Sequence, residues 1–320
     1  MFPLIFATLV TAVLALVSLT IGAADLSVLS LIRGEADLQA AQVLMISRIP
    51  RTLAILLAGS SLGIAGLVMQ MVVRNRFVEP STTGTTESAM LGFLVVTLLA
   101  PTWPVMAKMG VAAGFAFAGT LLFLRLLKFV PLRDVVLVPL VGIMLAGVIG
   151  AVTTFIAYRY NLLPSVLGWS MGDFSGVLRG RYELLWLGLI CTLIAGLAAD
   201  RFTVAGMGRE FTTNLGLNYG RVMVMGLGIV SVIASVCLVS VGSIPFLGLV
   251  VPNIVSLMIG DNMRRAVPCV AIGGAAFVLA GDILGRVVRY PYEIPISVVV
   301  GVAGSAIFIC LLLQRRPHGS

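Results

Sequence analysis

The longest uncharged apolar segment of this chain strongly limits the folds that it can adopt. Val222–Gly260 contains no Asp, Glu, Lys or Arg, and as one straight helix it would be about 58 Å long at 1.5 Å per residue. A membrane-spanning helix needs only about 20 residues. The segment therefore has to fold back on itself, and the predicted break is supplied by Gly242, Ser243, Pro245 and Pro252.

The composition is that of an integral membrane protein. Only 11% of the 320 residues are charged and 59% are hydrophobic, whereas a soluble domain carries roughly 25% charged residues. The apolar runs are continuous and lack the alternation of a membrane β-barrel, which favours helices over strands. The predicted fold class is therefore all-α and polytopic, with residues 1–320 forming a single transmembrane domain.

Charged residues mark the ends of the predicted spans, because a charge inside the bilayer is costly. The ten predicted spans are about 3–22, 51–72, 86–100, 105–126, 135–157, 183–199, 221–241, 247–259, 266–285 and 294–313. An even number puts both termini on one side. If that side is the cytoplasm, the inner segments hold twelve of the 21 Lys and Arg residues and the outer segments nine, a weak positive-inside bias.

Residue counts exclude several functions. The only histidine is His318, and the four cysteines, Cys191, Cys237, Cys269 and Cys310, lie singly without CxxC spacing. A zinc or haem site built on histidine and a Ser-His-Asp or Cys-His triad are therefore excluded within the fold, and no bound metal or cofactor is expected. The chain has no GxxxxGK[ST] loop and is not expected to hydrolyse ATP itself. Its net charge of +8 is scattered, unlike that of a nucleic-acid-binding protein.

Two arginines one helical turn apart stand at the entry to the second span. Arg48 and Arg51 flank Pro50. One interpretation is an interfacial anchor whose charged groups reach the lipid head groups. The other is a docking site for carboxylates of a soluble partner, for which Arg has bidentate geometry.

Further local patterns predict packing and contacts. The loop Asp200–Arg221 suits a short surface helix with a glycine turn, of a kind that can lie in a groove of another protein. Asp282 and Arg286 are four residues apart and can pair along one helical face. Close helix approach is predicted at three small-residue repeats, Gly59-SSL-Gly63, Gly110-VAA-Gly114 and Gly281-DIL-Gly285.

Four segments together resemble the FecCD/BtuC-like family, the permease subunits of bacterial ABC importers for iron-siderophores and vitamin B12. They are SRIPRTLAILLAGSSLGIAGLVMQMVVRNRFVEPSTTG, NLGLNYGR, VGSIPFLGLVVPNIVSLMIGDNMRRAVP, and AGDILGR with YEIPISVVVGVAGSAIFICLLL. They follow the order and spacing of the family from about Arg48 to Leu313. Arg76, Asn253, Ser256 and Ser297 depart from its usual Pro, His, Arg and Gly.

The resemblance implies ten helices with both termini in the cytoplasm, in the bacterial inner membrane. It implies a second permease subunit, favoured as an unlike sister over an identical copy, two ATPase subunits that bind ATP and Mg, and a periplasmic or lipid-anchored binding protein. The resemblance assigns docking of that protein to Arg48, Arg51 and Arg286. It assigns coupling to the ATPase to about 205–219, with Gly206, Gly208, Arg209, Leu215, Gly216 and Leu217. Structural or gating candidates are Gln70, Asn75, Pro80, Pro252, Asn253, Asp282, Glu293 and Pro295.

The cargo implied is a ferric siderophore. The run from Glu79 to Ala89 resembles a branch that handles catecholate siderophores. The alternatives are a vitamin B12 or haem importer permease of the same family and a secondary transporter driven by an ion gradient. The last would need ionisable residues deep within the spans, and Glu87 and Asp282 are its acidic candidates.

Overall fold

The computed structural model of the chain describes residues 2–21, 42–129, 137–180, 182–260 and 262–314. Within these ranges every regular element is a helix, which confirms the predicted class. The helices are α1 Phe2–Thr20, α2 Ile49–Val73, α3 Thr85–Leu99, α4 Val105–Leu127, α5 Leu137–Arg159, α6 Leu163–Ser170, α7 Leu185–Leu197, α8 Ala199–Gly206, α9 Arg209–Asn214, α10 Tyr219–Val241, α11 Leu247–Ile259, α12 Met263–Val287 and α13 Ile296–Gln314. His318 lies outside the described residues.

Helix α2 is the buried axis of the bundle. In its most apolar window 83% of the residues are buried, against 33% for α4 and 17% for α5. It packs against α12, α10, α11 and α7. Pro50 lies in its first turn, where a missing N–H costs nothing. Arg74 ends it in a left-handed conformation, with φ 58°.

Helices α11 and α12 each contact α2 at a pair of glycines. A Cβ atom on Gly66 would lie 1.9 Å from the carbonyl oxygen of Gly248, and one on Gly59 would lie 2.7 Å from that of Gly274. No side chain separates the backbones at these two points. The small-residue packing predicted at Gly59 is therefore present, against α12.

The other two small-residue repeats differ from each other. A Cβ atom on Gly285 would lie 2.7 Å from the carbonyl oxygen of Ile294, so this repeat is also a close contact. The prediction for Gly110 and Gly114 is wrong within this chain. No atom of the described residues lies within 4 Å of either Cβ position, because that face of α4 is turned away from the bundle.

Helices of several lengths correspond to the predicted spans. Among the described residues, five are long and apolar enough to cross a membrane, and four more apolar helices are shorter. The pair α7 and α8 is bent by 66° and forms one further candidate, so the predicted span 183–199 is shorter as a straight helix. The number of crossings and the location of the termini stay predictions.

The fold-back within the long uncharged segment is present, with one correction. Helix α10 ends at Val241 and α11 begins at Leu247, so the break lies at 242–246, with Gly242 at φ 84°. Pro252 lies inside α11 and not at the break. A short helix, α6, and a 3-10 turn at Pro80–Thr83 were not predicted.

Candidate functional site

Five charged side chains meet where α1 ends and α2 begins, and they come from three separate stretches of sequence. We call them the arginine–carboxylate cluster. Its members are Arg48, Arg51, Asp282, Arg286 and Glu293. The sequence predicted a role for each of the five residues and the pairing of Asp282 with Arg286, but it did not predict that all five lie together.

Arg48 is buried and caps a helix of its own chain. It ends a π-helical turn, Leu44–Arg48, and is only 6% exposed. Its Nη1 donates to the carbonyl oxygens of Leu19 at 2.8 Å and Thr20 at 3.0 Å. These carbonyls belong to the last turn of α1, which contains no basic residue of its own. A cation here satisfies unpaired carbonyls and opposes the negative end of the helix dipole.

Arg286 caps the same helix end from the other side. Its Nη1 donates to the carbonyl oxygens of Ser18 at 3.0 Å and Ile21 at 2.8 Å, and its Nη2 donates to the Ser18 hydroxyl at 2.6 Å. Its Nη2 also lies 2.6 Å from Oδ2 of Asp282, which confirms the predicted i,i+4 pair. That contact is an ion pair without hydrogen-bond alignment.

Arg51 joins an inner and an outer carboxylate. Its Nη2 donates to Oδ1 of Asp282 at 2.7 Å, and the Asp282 side chain is 3% exposed. Its Nη1 lies 2.8 Å and 3.0 Å from the two carboxylate oxygens of Glu293, whose side chain is 34% exposed. Arg51 itself is 13% exposed. Asp282 therefore lies between two guanidinium groups, and only the Glu293 side of the cluster opens to the exterior.

The cluster carries three positive and two negative charges. The excess cation is partly balanced by the carbonyls at the end of α1 that Arg48 and Arg286 cap. The Nε atoms of Arg51 and Arg286 are buried and have no hydrogen-bond partner among the described residues. Charges buried in this way are stable only when paired, because an uncompensated buried charge costs about 3–5 kcal/mol.

A second buried carboxylate, at Glu79, was not predicted as a site residue. Glu79 is 3% exposed, and its Oε1 accepts from the Phe246 backbone N–H at 2.9 Å and from the Ser81 hydroxyl at 2.5 Å. Phe246 is the N-cap of α11 and has a φ of 63°. A carboxylate at a helix N-terminus satisfies free N–H groups and opposes the dipole. Glu79 thereby joins the 74–84 loop to the start of α11.

The amide of Gln70 meets the backbone that Pro252 leaves unpaired. Pro252 has no N–H for the carbonyl of Gly248, four residues earlier in α11. Nε2 of Gln70 donates to that carbonyl oxygen at 3.2 Å. A buried carbonyl in a membrane protein needs such a partner. Two of the predicted structural candidates are thus coupled through one hydrogen bond.

The other structural candidates lie near the same loop and near the end of α12. Nδ2 of Asn253 donates to the carbonyl oxygen of Arg76 at 2.8 Å, and Oδ1 of Asn75 accepts from the Phe77 backbone N–H at 2.8 Å. Pro80 is buried at the start of the 3-10 turn. Pro295 lies just before α13, far along the chain from the 74–84 loop. A gating role for these residues stays a prediction.

The predicted coupling segment lies at the opposite end of α2 from the arginine–carboxylate cluster. Met71 contacts Gly206 there, and the Arg74 side chain lies beside Gly208. The expected short helix with a glycine turn is present as α9, followed by Gly216 at φ 76°. The buried Thr212 hydroxyl lies 2.6 Å from the carbonyl oxygen of Gly208.

Three large apolar side chains of this segment are exposed. They are Met207, Phe211 and Leu215, at 56%, 48% and 56%. Phe211 lies within α9, whereas Met207 precedes Gly208 at φ 116° and Leu215 follows the last residue of the helix. The exposed residues of the segment also include Arg209, Glu210, Thr213, Asn214 and Gly216, and Leu217 is half-buried. Exposed apolar side chains on a short helix in a polar loop are typical of a helix that lies in a groove of another protein.

A cavity of about 570 Å³ opens beside this segment. Its wall includes Gln70, Arg74, Arg76, Thr203 and Asn262. A second cavity of about 680 Å³ is lined by α3, α4, α6, α10 and the connection between α6 and α7. No group of three or more His, Cys, Asp or Glu side chains that could hold a metal ion occurs in the described ranges.

The fold defines the class of protein. An all-helical chain with several apolar helices, a buried central helix and an exposed apolar segment at one end is a multi-pass membrane protein. Residues 9–314 match the FecCD transport family, and the chain belongs to that family. It is therefore a transport permease of the ABC importer type.

Known relatives are similar over most of their length. Petrobactin import system permease protein YclN of Bacillus subtilis (strain 168) is 48% identical, over 88% of this chain and 89% of its own. Petrobactin import system permease protein FatD of Bacillus anthracis is 41% identical, over 98% and 92%. A solved metal-chelate type ABC transporter in an inward-facing conformation has a TM-score of 0.82 and 25% identity, over 97% of this chain and 98% of its own.

Proposed function

We propose that this chain is the membrane-spanning permease subunit of an ABC importer for a ferric siderophore. The observation that carries the proposal is the similarity, over nearly the whole length, to two permeases of petrobactin import. A catecholate siderophore is the favoured cargo, and its iron would be held by the chelate. Vitamin B12 or haem is the alternative cargo.

The proposed assembly contains two permease subunits, favoured as unlike sisters, two ATPase subunits and an extracytoplasmic binding protein, in the bacterial inner membrane. Ten spans and two cytoplasmic termini are part of this proposal. ATP and Mg would be bound by the ATPase subunits. Their closure would move the permease from an outward-open to an inward-open state, so that access alternates.

The ATPase contact is assigned to 205–219. Support comes from the exposed apolar side chains of Met207, Phe211 and Leu215 and from the packing of Gly206 and Gly208 against the end of α2. A push on α9 would reach the central helix through α8, which contacts both α9 and α2. Helix α2 also packs against α7, α10, α11 and α12, so a shift of its end can tilt them together.

Docking of the binding protein is assigned to the arginine–carboxylate cluster. Arg48 and Arg286 are buried in the isolated chain, and Arg51 is the arginine that also pairs with an exposed carboxylate. Carboxylates on a soluble partner would meet the cluster at its Arg51–Glu293 side. Arginine has the bidentate geometry that such carboxylates require.

Reconstitution tests the proposed function. The permease is placed in proteoliposomes with its sister, the ATPase subunits and the binding protein, and uptake of an iron-loaded catecholate siderophore is measured. Uptake is expected only with internal ATP and all components. Uptake driven by a proton or sodium gradient with no ATPase subunit would contradict the proposal and favour a secondary transporter. Iron-free siderophore and vitamin B12 serve as controls for the cargo.

A further inference from the structure

Glu293 occupies the exposed part of Arg51. Both of its carboxylate oxygens contact the same Nη1, at 2.8 Å and 3.0 Å, whereas Nη2 of Arg51 is held by the buried Asp282. The two carboxylates therefore differ in burial. Asp282 lies in the interior between two guanidinium groups, whereas Glu293 binds Nη1 of Arg51 on the partly exposed side of the cluster.

The outer pair is less buried than the inner one. Glu293 lies in the connection between α12 and α13, where Tyr290 and Tyr292 are 61% and 71% exposed. Its carboxylate makes no other hydrogen bond or ion pair among the described residues. The Glu293 side chain is 34% exposed and that of Asp282 is 3% exposed, so the outer pair costs less to break than the inner pair. An incoming carboxylate could replace Glu293 without disturbing the inner pair.

The charge of the cluster requires that another carboxylate replaces Glu293 when it leaves Arg51. Three arginines face two carboxylates, so the loss of Glu293 from Arg51 leaves an excess of two cations. A second carboxylate on Nη1 restores the balance that Glu293 provides. The buried Arg51–Asp282 pair keeps the guanidinium in place during the exchange, because breaking a buried pair is far more costly than breaking an exposed one.

We infer that Glu293 is a resident ligand of Arg51 which an acidic side chain of the binding protein displaces on docking. The inference rests on the proposed docking function. In the undocked permease Glu293 pairs with Nη1 of Arg51, and on docking it competes with the carboxylate of the partner for this group. The docked state therefore exchanges one Arg51–carboxylate pair for another, and the affinity reflects the difference between them.

Removal of the competing carboxylate tests the inference. The assembled transporter with Glu293→Gln is placed in nanodiscs, and the Kd for the labelled binding protein of the same transport system is measured. The Kd is expected to fall about fivefold or more, because the Arg51–Glu293 pair, which is less exposed than a surface pair, no longer has to be broken. Glutamine keeps the size and polarity of the exposed side chain, and a wild-type melting curve verifies that the variant is folded.

Glu183→Gln is the matched control. Glu183 is an exposed glutamate at the same end of the bundle, where its carboxylate accepts from the Gly180 backbone N–H at 2.7 Å. The neighbouring Arg179 backbone N–H donates to Ile46, close to the start of α2. This variant removes the same charge without touching Arg51. An equal gain in both variants would mean general attraction of an acidic partner and would overturn the inference.

The salt dependence of the wild-type Kd distinguishes a failure of the proposed docking at the cluster from a failure of the role inferred for Glu293. Docking through arginine–carboxylate pairs predicts a Kd that rises with ionic strength. A Kd that does not depend on salt contradicts docking at the cluster, and the inference with it. A salt-dependent Kd that Glu293→Gln leaves unchanged or raises overturns only the role of Glu293.

Discussion

The two ends of α2 use charged and apolar residues in opposite ways. At its start, Arg48, Asp282 and Arg286 are at most 6% exposed and their partners lie in the same chain. At its end, Phe211 and Leu215 are about half exposed and turned outwards. The charged side chains at the first end are paired within the chain, and the apolar side chains at the second end are exposed to a partner. The sequence predicted a contact role at both ends, as an anchor or docking pair at the start and as a surface helix at the end.

The comparison shows that the two ends of α2 differ in how firmly they are held. Buried charges need partners, so the cluster joins α1, α2 and α12 at one end. Exposed apolar side chains on a short helix need no partner within the chain. The bundle is therefore expected to resist change at the cluster and to tolerate it at α9.

The largest expected effect comes from Arg286→Ala. The change removes one of the two cations beside the buried Asp282 and leaves the Ser18 and Ile21 carbonyls without their partner. A loss of about 3–5 kcal/mol in unfolding free energy is expected. The measurement is Tm in detergent by far-UV circular dichroism at a fixed scan rate.

Arg264→Ala is its matched control. Arg264 pairs with Asp200 at 3.5 Å, and the two side chains are 77% and 72% exposed. Such a pair adds little to stability, so the Tm should not change measurably. Similar losses in both variants would contradict the contrast between a buried cluster and an exposed pair.

A smaller loss is expected from Gly66→Ala, at the middle of α2. The new Cβ atom would lie 1.9 Å from the Gly248 carbonyl oxygen, so α2 and α11 would have to separate. Overpacking of this kind costs about 1–3 kcal/mol. Gly110→Ala, where no atom lies within 4 Å, should keep or slightly raise the Tm. A wild-type Tm for Gly66→Ala would mean that the two helices separate without cost.

The smallest effect on stability is expected at α9. Replacing Phe211 and Leu215 together by Ala removes exposed side chains, so the unfolding free energy should stay within about 0.5 kcal/mol of wild type. ATP-driven uptake should nevertheless be lost while ATP hydrolysis by the assembled transporter continues. Leu178→Ala, an exposed leucine elsewhere, is the control for uptake. Normal uptake in the double variant would place the coupling contact outside α9.

Much of the fold could be predicted from the spacing of charged and helix-breaking residues along the sequence. The uncharged runs predicted the helices from α2 to α4 closely, because each run is bounded by charged or helix-breaking residues. The Asp282–Arg286 pair followed from their distance along one helix. The bend between α7 and α8 lies one residue before the predicted end of the span 183–199, which Asp200 marks, but the sequence did not predict that the chain continues as a helix at 66° to α7.

The candidate site was less predictable, because its contacts join distant parts of the sequence. Arg48 was interpreted as an anchor or a docking residue, and nothing in its neighbourhood indicates the carbonyls of α1 as its partners. Glu79 bonds to Phe246, far along the chain. Glu79 lies in the polar loop 74–84, so nothing in its sequence neighbourhood indicated that its carboxylate is buried.

The length of α11 has a consequence for the biogenesis of the protein. Its 13 residues extend about 20 Å, less than the roughly 30 Å of a hydrocarbon core. The backbone at 242–246, which connects it to α10, is not helical and needs protein partners such as Glu79 for its N–H groups. The segment is therefore poorly suited to enter a bilayer alone. We expect α10 and α11 to insert together as one hairpin beside the segment that carries Glu79, because Glu79 accepts from the Phe246 N–H of their connection.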